Sequence, residues 1–519
     1  MAFRSVLADT TPLRYPRFRR LWTANIITVI GAQLTIIAVP AQIYVITGSS
    51  AYVGLAGAFG LVPLIVFGLY GGSLADHMDR RRLLLFTTSG LILTAVAFWA
   101  QAAAGVGNVW LILGIFAVQQ ACFAVNQPAR TAVIPRLVGV ENIAAATSLT
   151  MTVQQAGAIV GPLVGGALIP FVGFAWLYLG DAVALFATLW AVISLPPMRP
   201  GEGPDGAGAA GSRREGDDAA SPRRAGLRSV LEGARYLVTR PVLLVSFVVD
   251  IIAMVFGMPR ALIPQMSTVD FGEPAGGGLI YALLFAALPV GAVLGGVFSG
   301  RITRMRRQGL GVTVSVVVWG LAIVVMGLAV TAADGVVGVW AAVALVAFAA
   351  GGAADMVSAV LRSAMVQETA DDELRGRLQG VFIVVVAGGP RLADILHGWG
   401  GTTFGAGPTT AAGGVLAIVG TLVAVALAPA FLRHRAPSAG RVASSSPETP
   451  TPGDGDRPAP GDGDDRNPAP SAHPAPSGAA DTTTDRTTEQ TTEQTTDQTT
   501  ATPTTPTRAG STGPERKDS

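Results

Sequence analysis

The sequence is poor in charged residues and contains very little cysteine, histidine or lysine. Charged side chains make up 13% of the 519 residues, against 50% for hydrophobic ones, whereas a soluble protein has about 25% charged residues. This composition excludes a series of soluble domains and is typical of a protein that crosses a membrane many times. The net charge of +2 and the lack of a basic stripe also argue against nucleic-acid binding.

The scarcity of reactive side chains limits the possible functions further. The single cysteine, Cys122, excludes an intramolecular disulfide and a cysteine-based zinc site. The sequence contains no H-E-x-x-H or G-x-S-x-G motif and no G-x-x-x-x-G-K-[ST] loop. We therefore expect neither an intramembrane enzyme nor an ATP-driven pump, and we expect no cofactor or metal ion.

Apolar segments rich in glycine and alanine follow one another along most of the chain. Each has about the 20 residues that a helix needs to cross a hydrocarbon core about 30 Å thick. The segments lie at about residues 21–46, 52–75, 83–103, 109–128, 143–169, 172–195, 241–266, 277–299, 310–331, 336–360, 378–401 and 409–432. We therefore predict an all-α membrane protein with twelve transmembrane helices, whose first segment is too long for a cleavable signal peptide.

Arginine residues are concentrated in every second connection between these segments. The arginine-containing stretches are the residues before the first segment and about 80–82, 130–136, 199–240, 301–307, 362–377 and 433–435. Connections rich in arginine stay on the cytoplasmic side of a membrane. The pattern therefore predicts cytoplasmic N- and C-termini in a multi-pass protein of the inner or plasma membrane.

Composition also divides the chain into four parts. Residues 1–195 and 241–435 hold six apolar segments each, which predicts two six-helix bundles. Residues 196–240 form a flexible, mixed-charge cytoplasmic loop that ends in a short amphipathic helix. Residues 436–519, rich in proline, threonine and aspartate, predict a disordered cytoplasmic tail.

The two six-segment halves repeat each other in sequence. Gly54–Arg82 and Gly278–Arg306 share a Gly-Leu pair, a Gly-Gly pair and two arginines at equivalent positions. Arg130-Thr-Ala-Val-Ile in the first half likewise corresponds to Arg362-Ser-Ala-Met-Val in the second. Repeats of this kind are an architecture of membrane transporters, in which the substrate path lies between the halves.

The stretch Gly-Ser-Leu-Ala-Asp-His-Met-Asp-Arg-Arg-Arg at residues 72–82 resembles the signature loop of the major facilitator superfamily, G-x-L-A-D-R-x-G-R-R/K. The resemblance implies that superfamily's fold of two six-helix bundles. It also implies a gating loop made of Gly72, Asp76, Arg80, Arg81 and Arg82, in which Asp76 contacts the other half and the arginines anchor the loop. Asp79 stands where the superfamily has glycine, and we expect it to pair with a nearby arginine.

A glycine-rich stretch in the fifth segment resembles the antiporter motif of the same superfamily, G-x-x-x-G-P-x-x-G-G. Its residues are Gly157, Gly161, Pro162, Gly165 and Gly166. Glycines at four-residue spacing form a flat helix face that packs closely, and in exporters this face seals the core. The fourth segment, however, has Gln119 and Gln120 and lacks the arginine of the drug–proton antiporters.

Further stretches resemble the enterobactin exporter group, whose members expel catecholate siderophores. They are residues 38–44, 135–142 and 283–292. The resemblance implies a secondary active exporter of a siderophore or similar amphipathic small molecule, driven by proton antiport. Related multidrug and macrolide exporters share many of these features, so drug efflux stays an alternative, and a non-transporting membrane sensor is an alternative of another class. The expected partners are a small-molecule substrate, protons and the lipid bilayer, with the protein acting as a monomer.

Charged and titratable side chains inside the apolar segments are the remaining candidates, because such groups usually face a cavity or a partner. The candidates for proton coupling or substrate binding are Asp250, Asp355, Arg391, Asp394 and His397. Arg391, Asp394 and His397 follow one another at i,i+3 spacing, which predicts one shared helix face. We expect Asp250 to be the proton carrier, Asp355 to pair with an arginine, and Asp181 to be wetted near the outer end of its helix.

Overall fold

Long α-helices account for nearly all of the regular structure in the computed structural model, which describes residues 9–198, 232, 235–297, 305–369 and 375–434. This part of the chain contains no β-strand. The helices are α1 (Pro16–Thr47), α2 (Ser50–His77), α3 (Arg80–Ala103), α4 (Val109–Val138), α5 (Ile143–Ile193), α6 (Pro241–Gly257), α7 (Leu279–Val297), α8 (Gln308–Thr331), α9 (Val339–Thr369), α10 (Arg375–Phe404) and α11 (Ala406–Leu427). The prediction of an all-α fold is confirmed.

Ten stretches of the described helices are long and apolar enough to cross a membrane. The prediction of many membrane-spanning segments is thereby confirmed, whereas twelve crossings and the cytoplasmic placement of the termini stay predictions. Helix α10, which covers the predicted segment 378–401, is not one of the ten. It carries Arg391 and Asp394 within its apolar stretch.

Helix α5 joins two of the predicted segments. Its 51 residues would extend about 76 Å as one straight α-helix, more than twice the thickness of a hydrocarbon core of about 30 Å. Gly173 interrupts it with φ 75° and ψ 173°, a conformation that glycine adopts far more readily than other residues. The interruption lies where the predicted segments 143–169 and 172–195 meet.

The helices pack as two groups, which we call the N-terminal group (α1–α5) and the C-terminal group (α6–α11). In the first, α1 packs against α5, α2 against α4, and α3 against both α4 and α5. In the second, α8 packs against α9 and α11, α7 against α9, and α6 against α10 and α11. The two groups meet mainly where α2 crosses α10 and where α5 crosses α7.

The connection between α2 and α3 is held by the carboxylate of Asp79. This side chain accepts hydrogen bonds from the backbone N–H groups of Arg81 (2.8 Å) and Arg82 (3.4 Å), and so caps the N-terminus of α3. The expected pairing of Asp79 with an arginine side chain does not occur among these contacts. An aspartate directly before a helix satisfies backbone donors that would otherwise lack partners.

Only the last part of the predicted loop helix is described. Residues 235–239 are helical, and Leu237 is buried with Leu243 and Phe247. The contact ties the end of the loop to α6. Most of the 196–240 loop and the 436–519 tail lie outside the described residues.

Candidate functional site

A cavity of about 350 Å³ lies between the N-terminal and C-terminal groups. Side chains of α1–α5 line it on one side, and side chains of α10, α7 and the segment after α6 line it on the other. Its apolar wall includes Phe116, Phe123 and Phe285. Its charged lining residues are Arg130, Asp181, Arg260, Arg391 and Asp394. Such a surface can bind a small molecule that has both apolar and acidic parts.

Arg391 and Asp394 of α10 reach this cavity together, as their spacing predicts. The guanidinium of Arg391 lies 3.9 Å from the carboxylate of Asp394 and 5.4 Å from the centre of the Phe116 ring. It also donates a long hydrogen bond of 3.4 Å to the side-chain oxygen of Gln120 on α4. This cation therefore connects the two helix groups across the cavity.

The position of these two residues depends on how closely α2 approaches α10. A Cβ atom on Gly54 would clash with the carbonyl of Asp394, and one on Gly57 would lie 2.6 Å from the carbonyl of Arg391. Neither position leaves room for a side chain without moving α10. Glycine at both positions therefore sets the depth at which the charged pair enters the cavity.

His397 does not share the position of Arg391 and Asp394. It is 1% exposed, and its ring packs near Gly413 of α11. Its Nδ1–H donates to the carbonyl of Ala393 at 3.0 Å, because a carbonyl can only accept. His397 does not line the cavity, so the single face predicted from the i,i+3 spacing divides into a cavity-lining pair and a histidine buried between helices.

Asp181 of α5 lines the cavity, whereas the sequence analysis expected it near the outer end of its helix. The expectation of a wetted side chain is wrong, because Asp181 is only 2% exposed. Its Oδ2 accepts a hydrogen bond of 2.6 Å from the hydroxyl of Thr35 on α1. Its Oδ1 lies beside Gly31 and has no hydrogen-bond donor among the described residues. Asp181 is therefore a carboxyl group with one hydroxyl partner and no ion pair in that part of the chain.

Asp250 has a cationic partner instead. Its carboxylate forms an ion pair with Arg362 of α9, and the two residues are 2% and 6% exposed. Neither residue lines the cavity. Asp355, which we expected to pair with an arginine, is partly buried on α9, does not line the cavity and has no ion pair among the described residues.

Several hydrogen bonds close the cavity at the end where α1 meets α2. Ser50 donates to the side chain of Gln265 at 2.6 Å, and the N–H of Ala51 donates to the hydroxyl of Thr402 at 2.9 Å. The hydroxyl of Tyr281 donates to the carbonyl of Ile37 at 2.6 Å. We call the contacts of Ser50, Ala51, Gln265 and Thr402 the seal. At the opposite end, the described hydrogen bonds stay within one group.

The gating-loop residues lie at that opposite end. Arg80 donates to the carbonyl of Ala132 at 2.9 Å, and Arg81 donates to the carbonyl of Ile193 at 2.8 Å. These bonds fasten the start of α3 to α4 and α5, which agrees with an anchoring role. Arg82 contributes its backbone N–H to the cap by Asp79. Gly72 and Asp76 belong to α2, but their side chains are outside the described part.

The antiporter-like glycines lie on two faces of α5. A Cβ on Gly157 would clash with Val29, one on Gly161 with Gln33, and one on Gly165 would lie 2.5 Å from the side chain of Ile37, so these three glycines face α1. Gly166 instead contacts Ala282 of α7, where a Cβ would lie 2.8 Å from the Ala282 backbone. Pro162 is buried between them. The motif therefore packs α5 tightly inside its own group and also against the other group.

Arg130 and Arg260 are cavity-lining cations that the sequence analysis did not select as candidates. Arg130 belongs to the internal repeat, and Arg260 lies in the apolar segment 241–266. Both lie near the end of a predicted apolar segment, where an arginine is ordinarily explained by topology. The internal repeat could have identified Arg130, because it aligns this residue with Arg362, which is buried and paired with Asp250.

Two comparisons of sequence describe what this chain is similar to. A family model described as "Transmembrane secretion effector" matches residues 7–450. The enterobactin exporter EntS of Escherichia coli (strain K12) is 27% identical over 440 residues, which cover 81% of this chain and 93% of that protein. The protein of the same name in Shigella boydii serotype 18 is 27% identical over 433 residues, covering 80% and 92% of the two chains.

Solved structures show a similar arrangement of helices at much lower identity. A mutant of the nucleoside transporter NupG has a TM-score of 0.61 and 12% identity, and the match covers 79% of this chain and all of that one. A peptide transporter POT in complex with alafosfalin has a TM-score of 0.61 and 13% identity, with 79% and 95% of the chains covered. These neighbours are membrane transporters, and at this identity they bear on the fold alone.

Proposed function

Because the chain belongs to the transmembrane secretion effector family of the major facilitator superfamily, and is therefore a multi-pass membrane transporter, we propose that it exports a siderophore of the enterobactin type by proton antiport. The cavity between the two helix groups is the observation that carries the proposal. Its volume of about 350 Å³ falls within the range of about 300–1,000 Å³ that small-molecule sites occupy.

The lining of the cavity supports an amphipathic, acidic substrate. Phenylalanine rings such as Phe116 and Phe123 can stack on aromatic rings. The cations Arg130, Arg260 and Arg391 outnumber the acids Asp181 and Asp394, which favours a molecule with negatively charged oxygens. Catecholate siderophores combine both features, and the two sequence relatives bear the name of an enterobactin exporter.

Closure of the cavity at the seal supports transport by alternating access. Residues 1–195 and 241–435 would form the two bundles that rock against each other. The seal lies beside connections that lack arginine, and the gating loop lies at the arginine-rich end. With the arginine-rich connections in the cytoplasm, the seal lies at the external end, and we infer that this conformation is closed to the outside.

Proton coupling is the part of the proposal that depends on single carboxyl groups. Asp181 and Asp394 line the cavity, so both lie where a proton can pass between the cavity and the protein. The carboxylate of Asp250 is held by Arg362 away from the cavity, which makes it a poorer proton carrier than the sequence indicated. We therefore assign the coupling proton to Asp181, which has a hydroxyl partner and no cation among the described residues.

Deletion of the gene in its host, followed by growth under iron limitation, tests this function. We expect siderophore to accumulate inside the cells and to fall in the medium, and a plasmid copy of the gene should restore its release. An unchanged amount of siderophore in the medium would contradict the assignment. Increased sensitivity to macrolides or other drugs with unchanged siderophore release would indicate the multidrug alternative instead.

A vesicle assay separates transport from sensing. Inverted membrane vesicles that contain the full chain should take up enterobactin when their interior is made acidic, and a protonophore should stop the uptake. Vesicles from cells without the gene provide the control. Uptake that is equal in both preparations would contradict transport and would indicate a non-transporting sensor.

A further inference from the structure

The two helix groups repeat a contact between an arginine and the first helix of the group. Asn25-Ile-Ile in α1 corresponds to Asp250-Ile-Ile in α6, as Arg130 in α4 corresponds to Arg362 in α9. Arg130 donates a hydrogen bond to the side-chain oxygen of Asn25, and Arg362 forms its ion pair with Asp250. The two groups thus place a guanidinium against equivalent positions, but only the C-terminal group supplies a carboxylate there.

This single difference changes the charge of the site. Arg362 is neutralised by Asp250, is 6% exposed and does not line the cavity. Arg130 has a neutral amide as its partner, lines the cavity, and has no ion pair among the residues that the structure describes. A partly buried guanidinium that lacks a counter-charge is costly. The site therefore retains a positive charge that an incoming anion would compensate.

The surroundings of Arg130 are suited to an anion. Asn25 is 2% exposed and fixes one edge of the guanidinium, while its own Nδ2 has no hydrogen-bond acceptor in the described part of the chain. The polar side chains of Gln127, Gln154 and Thr28 line the same cavity. Arginine binds planar oxygen acids through two parallel N–H groups, and amides and hydroxyls can donate further hydrogen bonds.

We propose that Arg130 and Asn25 form a binding site for an anionic oxygen group of the substrate, a carboxylate or an ionised catechol, at the end of the cavity that is opposite the seal. The proposal rests on the proposed function, and it names the group by which the exporter first recognises its substrate. Asn25 positions Arg130 without cancelling its charge. In the C-terminal group the equivalent pair is structural and binds no substrate.

Equilibrium binding to the full-length protein in lipid nanodiscs tests the site without relying on transport. The probes are 2,3-dihydroxybenzoate and its uncharged analogue 2,3-dihydroxybenzamide, both measured at pH 6. We expect Arg130→Gln to weaken binding of the acid about tenfold or more, as expected for loss of a hydrogen bond between charged groups. Binding of the amide should change little, and Arg130→Lys should restore part of the affinity for the acid.

Asn25→Asp is the sharper variant, because it keeps Arg130 and adds the carboxylate that the C-terminal group already has. We expect it to fold at least as well as the wild-type chain and to lose affinity for the acid to the same extent as Arg130→Gln. Asp355→Asn, on a helix away from the cavity, serves as the matched control and should bind both probes normally. Thermal unfolding of each purified protein verifies that the variants are folded.

The outcomes separate this inference from the proposed function. Unchanged binding of the acid by folded Asn25→Asp and Arg130→Gln would overturn the anion site, even if the protein exports siderophore. Equal loss for the acid and the amide would also overturn it, since that result indicates a general packing role. Selective loss of the acid supports the site, and it would do so even if siderophore export were then disproved in vesicles.

Discussion

The carboxylate of Asp250 lies against the guanidinium of Arg362, and both side chains are almost completely shielded from solvent. The pair joins α6 to α9 inside the C-terminal group. Removing one partner of a buried ion pair leaves the other charge uncompensated, which costs more than the pair itself contributes. Asp250 is therefore expected to act on stability before it acts on transport.

Asp250→Asn should lower the free energy of unfolding by about 3–5 kcal/mol, because Arg362 would remain buried without its counter-charge. The double variant Asp250→Leu, Arg362→Met should recover most of this loss, since it removes both charges. Thermal unfolding of detergent-purified protein, followed by tryptophan fluorescence, measures both effects. A single variant that is as stable as the wild type but has lost pH-driven flux would restore Asp250 as the proton carrier.

Asp181→Asn should abolish transport driven by a pH gradient while leaving substrate exchange intact. The amide can accept the hydrogen bond from Thr35 but cannot carry a proton, so only the coupled step should fail. Accumulation against a gradient and exchange of labelled substrate, measured in proteoliposomes, distinguish the two steps. Asp355→Asn is the matched control, because that acid does not line the cavity. Normal accumulation by Asp181→Asn would transfer the coupling role to Asp394.

Asp76→Asn should cripple transport without removing the protein from the membrane. The prediction follows from the resemblance of residues 72–82 to the superfamily's gating loop, in which this acid contacts the other half. Flux into vesicles should be compared with the amount of protein in the same membranes, measured by immunoblot. Wild-type flux from well-inserted Asp76→Asn protein would remove the residue from the gate.

Gly161→Ala should destabilise the protein by about 1–3 kcal/mol, the usual cost of overpacking a close contact. The added Cβ would clash with the side chain of Gln33 on α1, whereas at Gly114 of α4 a Cβ meets no atom within 4 Å. Gly114→Ala is therefore the control, and it should be neutral or slightly stabilising because alanine favours a helix. Equal unfolding temperatures for both variants would show that α5 and α1 can move apart without cost.

A disulfide across the seal should stop transport reversibly. In a Cys122→Ser background, Ser49→Cys and Thr402→Cys place thiols beside the seal, where two side-chain hydroxyls lie 3.2 Å apart. Oxidation should block vesicle uptake, and a reductant should restore it, because alternating access requires this end to open. Each single-cysteine variant controls for the substitutions. Full uptake by the cross-linked protein would show that the substrate path does not pass this end.

The apolar segments and their order could be predicted from sequence, because a run of about 20 apolar residues usually forms a membrane-spanning helix. The pairing of acids with cations could not. Asp250 and Arg362 lie on different helices, and nothing in their local sequence shows that they meet. The same limit applied to Asp181, whose burial depends on Thr35 and Gly31 of a distant helix.

The N-cap of α3 could have been predicted from sequence. Asp79 stands directly before Arg80, the first residue of α3, and an aspartate at such a position is a common N-cap. Its replacement of the superfamily's glycine suggested an ion pair instead, and the cap was missed. In contrast, the side of α10 on which His397 lies depends on its contact with α11, which spacing alone cannot supply.

Beside the seal, α2 and α10 approach each other so closely that backbone meets backbone. A Cβ on Gly398 would lie 2.7 Å from the Cα of Gly54, so no side chain interlocks at this crossing of α2 and α10. Separation of the two helices at this crossing would pull no interlocked side chains apart, and water can replace the few hydrogen bonds that are lost. The closed and open states should then differ little in free energy, and a preferential binding energy of about 1.4 kcal/mol would shift their ratio tenfold. An ordinary substrate can thereby decide which side of the membrane the protein faces.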